Sequence, residues 1–376
     1  MSKSKKYSWN IHTIENKIKE LELKLIREKD SNRRELIKED LEMLQSYVYE
    51  HYESLKQYPT PPLLDFYREG RDFTRVINFL YGDFFEFRHE TENNLSSIYI
   101  KGPKEKSLKR QDMLDLTYDF YRTLPSPFIN KFRKEFSRER RQLFLENNSC
   151  TNVRGETISL ESSKTSYIRI FKTDTIFDIL SLIHEYSHAI SHNINPAHFH
   201  YFKSLFVEID ALFMELIASD FLKDKTNLTD YLKARYLMHE GYTASSINLT
   251  DLYPLYLEEK TIPGGFKTNK ELKQTAENAC GINGFELEEL LTSPDEFQEH
   301  YLISYIIAIE LYEIYKEDKD KAFELLRRII LLSDNTPEGF YNEIKNLGIN
   351  PNQHIRKYNN ELVGDIGRIR TLKKNC

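Results

Sequence analysis

The sequence is most informative between residues 179 and 190, which read Ile-Leu-Ser-Leu-Ile-His-Glu-Tyr-Ser-His-Ala-Ile. This stretch contains the pattern H-E-x-x-H at His184, Glu185 and His188. Residues four apart lie on one face of a helix, so both imidazoles can reach a single metal ion. Glu185 lies beside them and can accept a proton from a water that the metal activates. The spacing therefore predicts a catalytic metal site on a helix.

The residues around this pattern predict a long, buried helix. Thr175 and Asp178 have the spacing of a capping box, and an apolar run starts at Ile176. The helix is expected to continue to about Asn193, and Pro196 ends it. Two histidines and a carboxylate within such a helix are costly to bury without partners. A bound metal ion would remove that cost, which favours metal binding over an ordinary core helix.

The two histidines leave a zinc site one protein ligand short. An apolar run predicts a second helix from about Phe202 to Leu222. Glu208 and Glu215 are seven residues apart and are expected on one face of it, whereas Asp210 is expected to point elsewhere. The spacing alone does not choose between Glu208 and Glu215 as the third ligand.

The second helix carries a further pattern, because the chain reads Phe206-Val207-Glu208 with Glu215 seven residues later. The region 181–222, with the strand before it, resembles the thimet oligopeptidase and oligoendopeptidase F family of zinc metallopeptidases. That family has H-E-x-G-H on one helix and F-V-x-E or F-V-E on the next, followed by another Glu after seven residues. The resemblance implies that Glu208 completes the ligand set of one Zn²⁺ ion with the two histidines. It implies that Glu215 orients a ligand histidine.

A C-terminal stretch extends the resemblance. Tyr301-Leu302-Ile303-Ser304-Tyr305 resembles the tyrosine-rich helix of the same family. This implies that Tyr305 contacts the substrate and donates to the oxyanion, with Tyr301 or His300 as alternatives for a second donor.

The sequence departs from the family pattern in three places. Ser187 replaces the glycine before the second histidine, and a residue this small is expected to fit. Ala211 replaces a serine three residues after the ligand Glu, which removes a hydroxyl. The family's Gly-rich loop with a His and a Tyr is not recognisable at residues 291–295. His300 or His239 is the candidate for the missing histidine's role.

The rest of the chain predicts a mainly α protein with a small β-sheet. Apolar residues at three- and four-residue spacing predict a helical hairpin in about the first 55 residues. Residues 153–158 and 166–171 alternate as short strands do. The strand near residues 167–171 is expected to pair with a peptide backbone as a sheet edge.

The resemblance also implies an overall architecture. It places a zincin-type catalytic core within a helical oligopeptidase fold that encloses a channel. We expect an N-terminal helical lobe at residues 1–145 and a zincin catalytic lobe at residues 146–376, together forming one compact unit.

The aromatic content is high, with 24 Tyr and 23 Phe but one Trp. Most of these rings are expected in the core, and tyrosine can also line a wet cleft. Near the predicted metal, Tyr167, Tyr186, Tyr301 and Tyr305 are expected to line such a channel.

Composition limits the partners that we expect. The 376 residues carry a formal net charge of −6, which argues against a phosphate-tracking nucleic-acid binder. We expect no membrane partner, because no apolar stretch approaches the length of a membrane span. Three scattered cysteines and a basic start with no apolar run after it favour a cytoplasmic protein.

The sequence thus predicts a zinc metalloendopeptidase that hydrolyses peptide bonds in short peptides. Two alternatives remain open. One is a zincin-like protein that binds peptides or proteins without cleaving them, and the other is a dedicated protease for one protein partner. The oligomeric state is not predicted.

Overall fold

The structure is a computed structural model that describes part of the chain, including most residues of the two helices predicted to carry the site. The described residues are 11–53, 108–137, 142–147, 155–160, 162–163, 165–195, 208–226, 299–332 and 337–350, with Tyr231, Ala234, Arg235, His354, Lys357, Tyr358, Asn360, Glu361, Leu362 and Gly364.

Helices dominate the described residues, and one small sheet interrupts them. The elements in chain order are α1 (Ile11–Arg27), α2 (Ser31–Glu53), α3 (Arg110–Arg122), α4 (Phe128–Phe136), β1 (Leu143–Asn147), β2 (Gly155–Leu160), β3 (Thr165–Lys172), α5 (Ile176–Ile194), α6 (Ile209–Lys223), α7 (Glu299–Glu317), α8 (Lys319–Ile330) and α9 (Pro337–Asn346). The predicted fold class, mainly α with a small sheet, is confirmed.

The N-terminal helices form the predicted hairpin, which covers one face of the sheet. Leu21 of α1 and Leu44 of α2 are fully buried between the helices. They belong to an apolar cluster that also contains Ile158 and Leu160 of β2. The amide of Ser162, after β2, donates to the carboxylate of Asp40 on α2 at 3.1 Å.

The sheet has three strands in the order β1-β3-β2. β3 is central, because it pairs with β1 in parallel and with β2 antiparallel. The expectation that the strand near residues 167–171 presents a free edge is therefore wrong, since its backbone is paired on both sides. Strand β1 is not among the strands predicted from the sequence. The expected lobe boundary after residue 145 falls inside this strand, and the division into two lobes stays a prediction.

Helix α5 begins where the sequence predicts, at Ile176, and ends at Ile194. The Thr175 hydroxyl accepts from the amide of Phe177 and so caps the helix. The Asp178 carboxylate accepts from the amides of Thr173 and Asp174, each at 2.8 Å. It thereby fixes the turn that leads from β3 into the helix.

Helix α6 begins at Ile209, and the earlier part of the helix predicted from about Phe202 lies outside the described residues. Glu208 occupies the position before the first helical residue, and its side chain makes no capping hydrogen bond. The apolar spacing continues upstream of this point, and Glu gives no start signal of the kind that Ser, Thr, Asp or Asn gives. The described part of the predicted helix, from residue 209 to Leu222, is helical.

The main core lies where α5 packs against its neighbours. α6 lies between α5 and α7, and the sheet covers α5 through β2 and β3. α3 and α4 also pack on α5. As a result, 17 of the 19 residues of α5 are buried. None of the helices in the described part of the chain is long and apolar enough to cross a membrane.

Candidate metal centre

Three side chains converge at the contact between α5 and the start of α6. The Nε2 atoms of His184 and His188 lie 3.1 Å apart. The Oε2 atom of Glu208 lies 3.0 Å from the first and 3.3 Å from the second. All three residues are buried. The structure thus brings together the three predicted ligands.

This donor set fits a zinc ion. Two imidazole nitrogens and one carboxylate oxygen are zinc ligands, and a catalytic site keeps a fourth position for water or substrate. Ligand atoms about 2.0 to 2.1 Å from a tetrahedral ion lie about 3.3 to 3.4 Å from each other. The separations of 3.0 to 3.3 Å are close to that spacing. The ligand set needs only small adjustments to hold an ion.

Glu215 contacts the other side of the His184 ring. Its Oε1 atom lies 2.9 Å from Nδ1 of His184. A proton on Nδ1, donated to this carboxylate, directs Nε2 at Glu208, where a metal ion could take the place of the Nε2 proton. The geometry agrees with the orienting role that the sequence resemblance implies.

Asp210 also reaches the site, and the expectation that it points elsewhere is wrong. Its carboxylate accepts a hydrogen bond from the Ser191 hydroxyl on α5. Its Oδ1 atom lies 3.8 Å from Nδ1 of His188. The start of α6 lies along α5, so side chains from both sides of this first turn reach the histidine helix. Residue spacing within α6 does not indicate how this helix packs against α5, so the contact of Asp210 could not be predicted from it.

The carboxylates set the charge of the two histidines. Burial opposes protonation of His184, but Glu208 and Glu215 outweigh it and raise the pKa of His184 well above its usual value. Glu208 and Asp210 likewise outweigh burial and raise the pKa of His188. Burial would raise the pKa of Glu208, but the histidines hold it well below its ordinary range. The carboxylates therefore favour protonation of both histidines, and a metal ion that bound here would displace those protons.

Glu185 lies on α5 beside the ligands but is held by the sheet. Its Oε2 atom accepts from the Thr157 hydroxyl of β2 at 2.6 Å. Burial raises the pKa of Glu185, although His184 and His188 partly offset this effect. A raised pKa suits a group that exchanges protons near neutral pH.

Tyr305 on α7 is 1% exposed, so the expectation that it lines a wet channel is wrong. Its hydroxyl donates to the hydroxyl of Tyr358 at 3.2 Å, and burial raises its pKa well above the usual value. His300 and Tyr301 lie in the first turn of α7, and their side chains lie outside the described residues. His239 and residues 291–295 also lie outside them.

Two other tyrosines expected in a wet channel, Tyr186 and Tyr167, also lie elsewhere. Tyr186 is 1% exposed and packs edge-on against Phe132, with ring centroids 5.1 Å apart. Tyr167 packs with the α1–α2 cluster, on the face of β3 opposite the face that carries Ile168 and Ile170 to the main core. Both expectations are wrong, because helix and strand periodicity direct these rings into apolar layers.

The two substitutions near the ligands are accommodated. Ser187 fits as expected: it is buried, and its hydroxyl donates to the carbonyl of Ile183 at 2.7 Å. Its Oγ also lies 3.1 Å from the hydroxyl of Tyr121. Ala211 is fully buried in α6.

Solved structures share this fold. A candidate peptidase from Chlamydophila abortus superposes with a TM-score of 0.57 at 15% identity, covering 78% of this chain and 55% of its own. A candidate oligoendopeptidase F from Bacillus anthracis str. Ames gives 0.50 at 14%, covering 92% and 64%. A structure of PZ peptidase A with an inhibitor gives 0.51 at 16%, covering 78% and 57%.

These similarities confirm the resemblance to the oligoendopeptidase family at the level of the fold. The chain spans 55 to 64% of the length of these three structures. No protein-family model and no curated protein matches the sequence.

Proposed function

We propose that this protein is a zinc-dependent peptidase acting on short peptides. One observation carries the proposal: two imidazole nitrogens and a carboxylate oxygen converge within 3.3 Å of each other, beside a buried carboxylate that is not one of the three. The peptidase names of the structural neighbours support the same class of reaction.

Each residue has a proposed role. His184, His188 and Glu208 would hold the ion, which supplies Lewis acidity to a peptide carbonyl and to water. Glu185 takes a proton from the attacking water and delivers it to the leaving amine. Glu215 keeps His184 in the tautomer that binds metal.

The oxyanion donor is proposed from α7. Tyr305 would exchange its bond to Tyr358 for one to the substrate, and His300 and Tyr301 precede it on the same helix by one turn or slightly more. A donor of this kind stabilises charge that develops only in the transition state.

Strand β2 is the proposed docking edge for the peptide backbone. Among the described strands it lies at one edge of the sheet, and an edge strand is where an extended peptide adds by main-chain pairing. It also carries Thr157, which contacts Glu185. A peptide paired with β2 would therefore lie next to the proposed base. Main-chain pairing of this kind predicts loose side-chain specificity.

The test is cleavage of a quenched fluorescent peptide library by the zinc-loaded protein. We expect cleavage that a chelator abolishes and zinc restores. Glu185→Gln should keep stoichiometric zinc but lower kcat by roughly 10²- to 10⁴-fold, the usual contribution of acid–base catalysis. Glu135→Gln is the control, because Glu135 is buried on α4 and accepts from Asn193 at the far end of α5.

Two outcomes would contradict the proposal. A wild-type protein that carries zinc and binds peptides, yet cleaves none, would instead be a peptide-binding protein. Full zinc retention in both His188→Ala and Glu208→Ala would exclude the proposed ligand set.

A further inference from the structure

Two residues of strand β2 limit where the Glu185 side chain can lie. The Thr157 hydroxyl lies 2.6 Å from Oε2 of Glu185 and 3.1 Å from its backbone oxygen. Gly155 precedes Thr157 by two residues, so both lie on the same face of the strand. A Cβ atom on Gly155 would lie 2.7 Å from Oε1 of Glu185 and 2.9 Å from its Cγ. One carboxylate oxygen is therefore bonded to Thr157, and the other lies where a side chain at position 155 would be.

We infer that Gly155 and Thr157, here called the β2 clamp, are positioning residues for Glu185 in the proposed proton transfer. The inference rests on the proposed function. The hydroxyl holds one carboxylate oxygen, and the absence of a side chain at Gly155 leaves room for the other.

The β2 clamp restricts a side chain that is otherwise flexible. The side chain of Glu185 rotates about three torsions. Its carboxylate also interacts electrostatically with His184 and His188. Without a partner on β2, its carboxylate could turn towards the imidazoles and compete for the metal. The clamp holds the base on the sheet side of α5. Misplacing a catalytic group by about 1 Å can cost roughly 100-fold in rate.

The clamp also links the base to the proposed docking edge. A peptide paired with β2 would have its position along the strand fixed by main-chain hydrogen bonds, and the same strand holds the Glu185 carboxylate. A rigid connection of this kind fixes the distance between base and scissile bond better than a loop would.

Three variants test the clamp by kcat and KM with a cleaved peptide. Thr157→Val removes the hydroxyl at nearly constant volume, and we expect kcat to fall roughly 10- to 100-fold with KM little changed. Thr157→Ser keeps the hydroxyl and should recover most of the wild-type kcat. Gly155→Ala should lower kcat by a similar factor, because its methyl would displace the carboxylate.

A matched control separates the clamp from general effects on the sheet. Thr165→Val makes the same chemical change on β3, where the Thr165 hydroxyl bonds to Ser163 and not to Glu185. It should keep wild-type kcat. Zinc content should be unchanged in every variant, because no proposed ligand is altered.

A second readout does not depend on turnover. In crystal structures of Thr157→Val and Gly155→Ala without metal, the Glu185 carboxylate should have moved from its wild-type position or occupy several rotamers. An unmoved carboxylate, or a Thr157→Val variant with wild-type kcat, would overturn the inference. Failure of the proposed function is distinct, since the wild-type protein itself would then cleave nothing.

Discussion

His184 has a carboxylate at each of its ring nitrogens. Glu208 lies 3.0 Å from Nε2 and Glu215 lies 2.9 Å from Nδ1. A metal at the site would replace the proton on Nε2, while Glu215 would keep the proton on Nδ1. Carboxylates in this second position raise the basicity of a ligand histidine and fix its orientation.

Glu215→Ala should therefore weaken zinc binding by roughly 10- to 100-fold. Competition with a chromophoric chelator measures the affinity directly. Ser219→Ala is the control, because Ser219 is also buried on α6 and bonds only to the carbonyl of Leu216 among the contacts described. Equal zinc affinities in Glu215→Ala and wild type would show that Glu215 does not support the ligand.

At this scale, the predictable residues are those that one element positions. His184, Glu185 and His188 follow from helix geometry alone. Thr157 and Asp210 could not be predicted, because their contacts depend on how a strand and a second helix pack on α5. Glu208 is predicted as the third ligand by the family resemblance, because spacing alone does not distinguish it from Glu215.

Helix α5 is held at its middle by α3. The hydroxyl of Tyr121 donates to the carbonyl of Ile183 at 2.8 Å, one residue before the first histidine. Its ring stacks on Phe132 of α4 with centroids 4.0 Å apart. The aromatic residues thus connect two helices of the predicted N-terminal lobe to α5.

Tyr121→Phe should lower the free energy of unfolding by about 1 to 2 kcal/mol, because a buried hydrogen bond to the helix is lost. Urea denaturation monitored by circular dichroism measures this change. Tyr118→Phe is matched to it, since Tyr118 lies on the same helix and its ring contacts Phe132 and Phe136. Equal losses in the two variants would show that the Tyr121 hydroxyl contributes nothing specific.

Element boundaries were predictable where a local signal marks them. Thr175 caps α5 and gave its start correctly. β1 is five residues long and ends in Glu146 and Asn147, so it lacks the alternation that reveals a strand. Its parallel pairing with β3 is non-local. For that reason neither β1 nor the central position of β3 could be read from the sequence.

Buried tyrosines are distributed across the whole molecule. Burial raises the pKa of Tyr121, Tyr305 and Tyr312, and the neighbouring Asp220 raises that of Tyr312 further. In the unfolded chain these phenols ionise near pH 10. The folded protein keeps them protonated to a higher pH.

The free energy of unfolding should therefore fall as the pH rises above about 10. The unfolded state then binds fewer protons than the folded state, and each such group contributes about 1.4 kcal/mol per pH unit. Urea titrations at a series of pH values measure the slope, and tyrosinate absorbance counts the ionised groups. Ionisation of all tyrosines near pH 10 in the folded protein would contradict this prediction.

The overall fold class was predictable, because helical periodicity recurs over most of the chain. The enclosed channel, the two lobes and the cytoplasmic location stay predictions. The channel and the lobes depend on packing between distant segments, so their basis is the family resemblance. The location rests on composition.

The position of Glu208 has a thermodynamic consequence. Helix α6 starts directly after it, and the Glu208 backbone carbonyl accepts the amide of Leu212 at 2.9 Å. Its side chain is directed at the histidines instead of capping the helix. An ion that binds the carboxylate would therefore also fix the residue at which the helix begins. Part of the binding free energy would then appear as folding free energy of that first turn, with the metal taking the place of a cap.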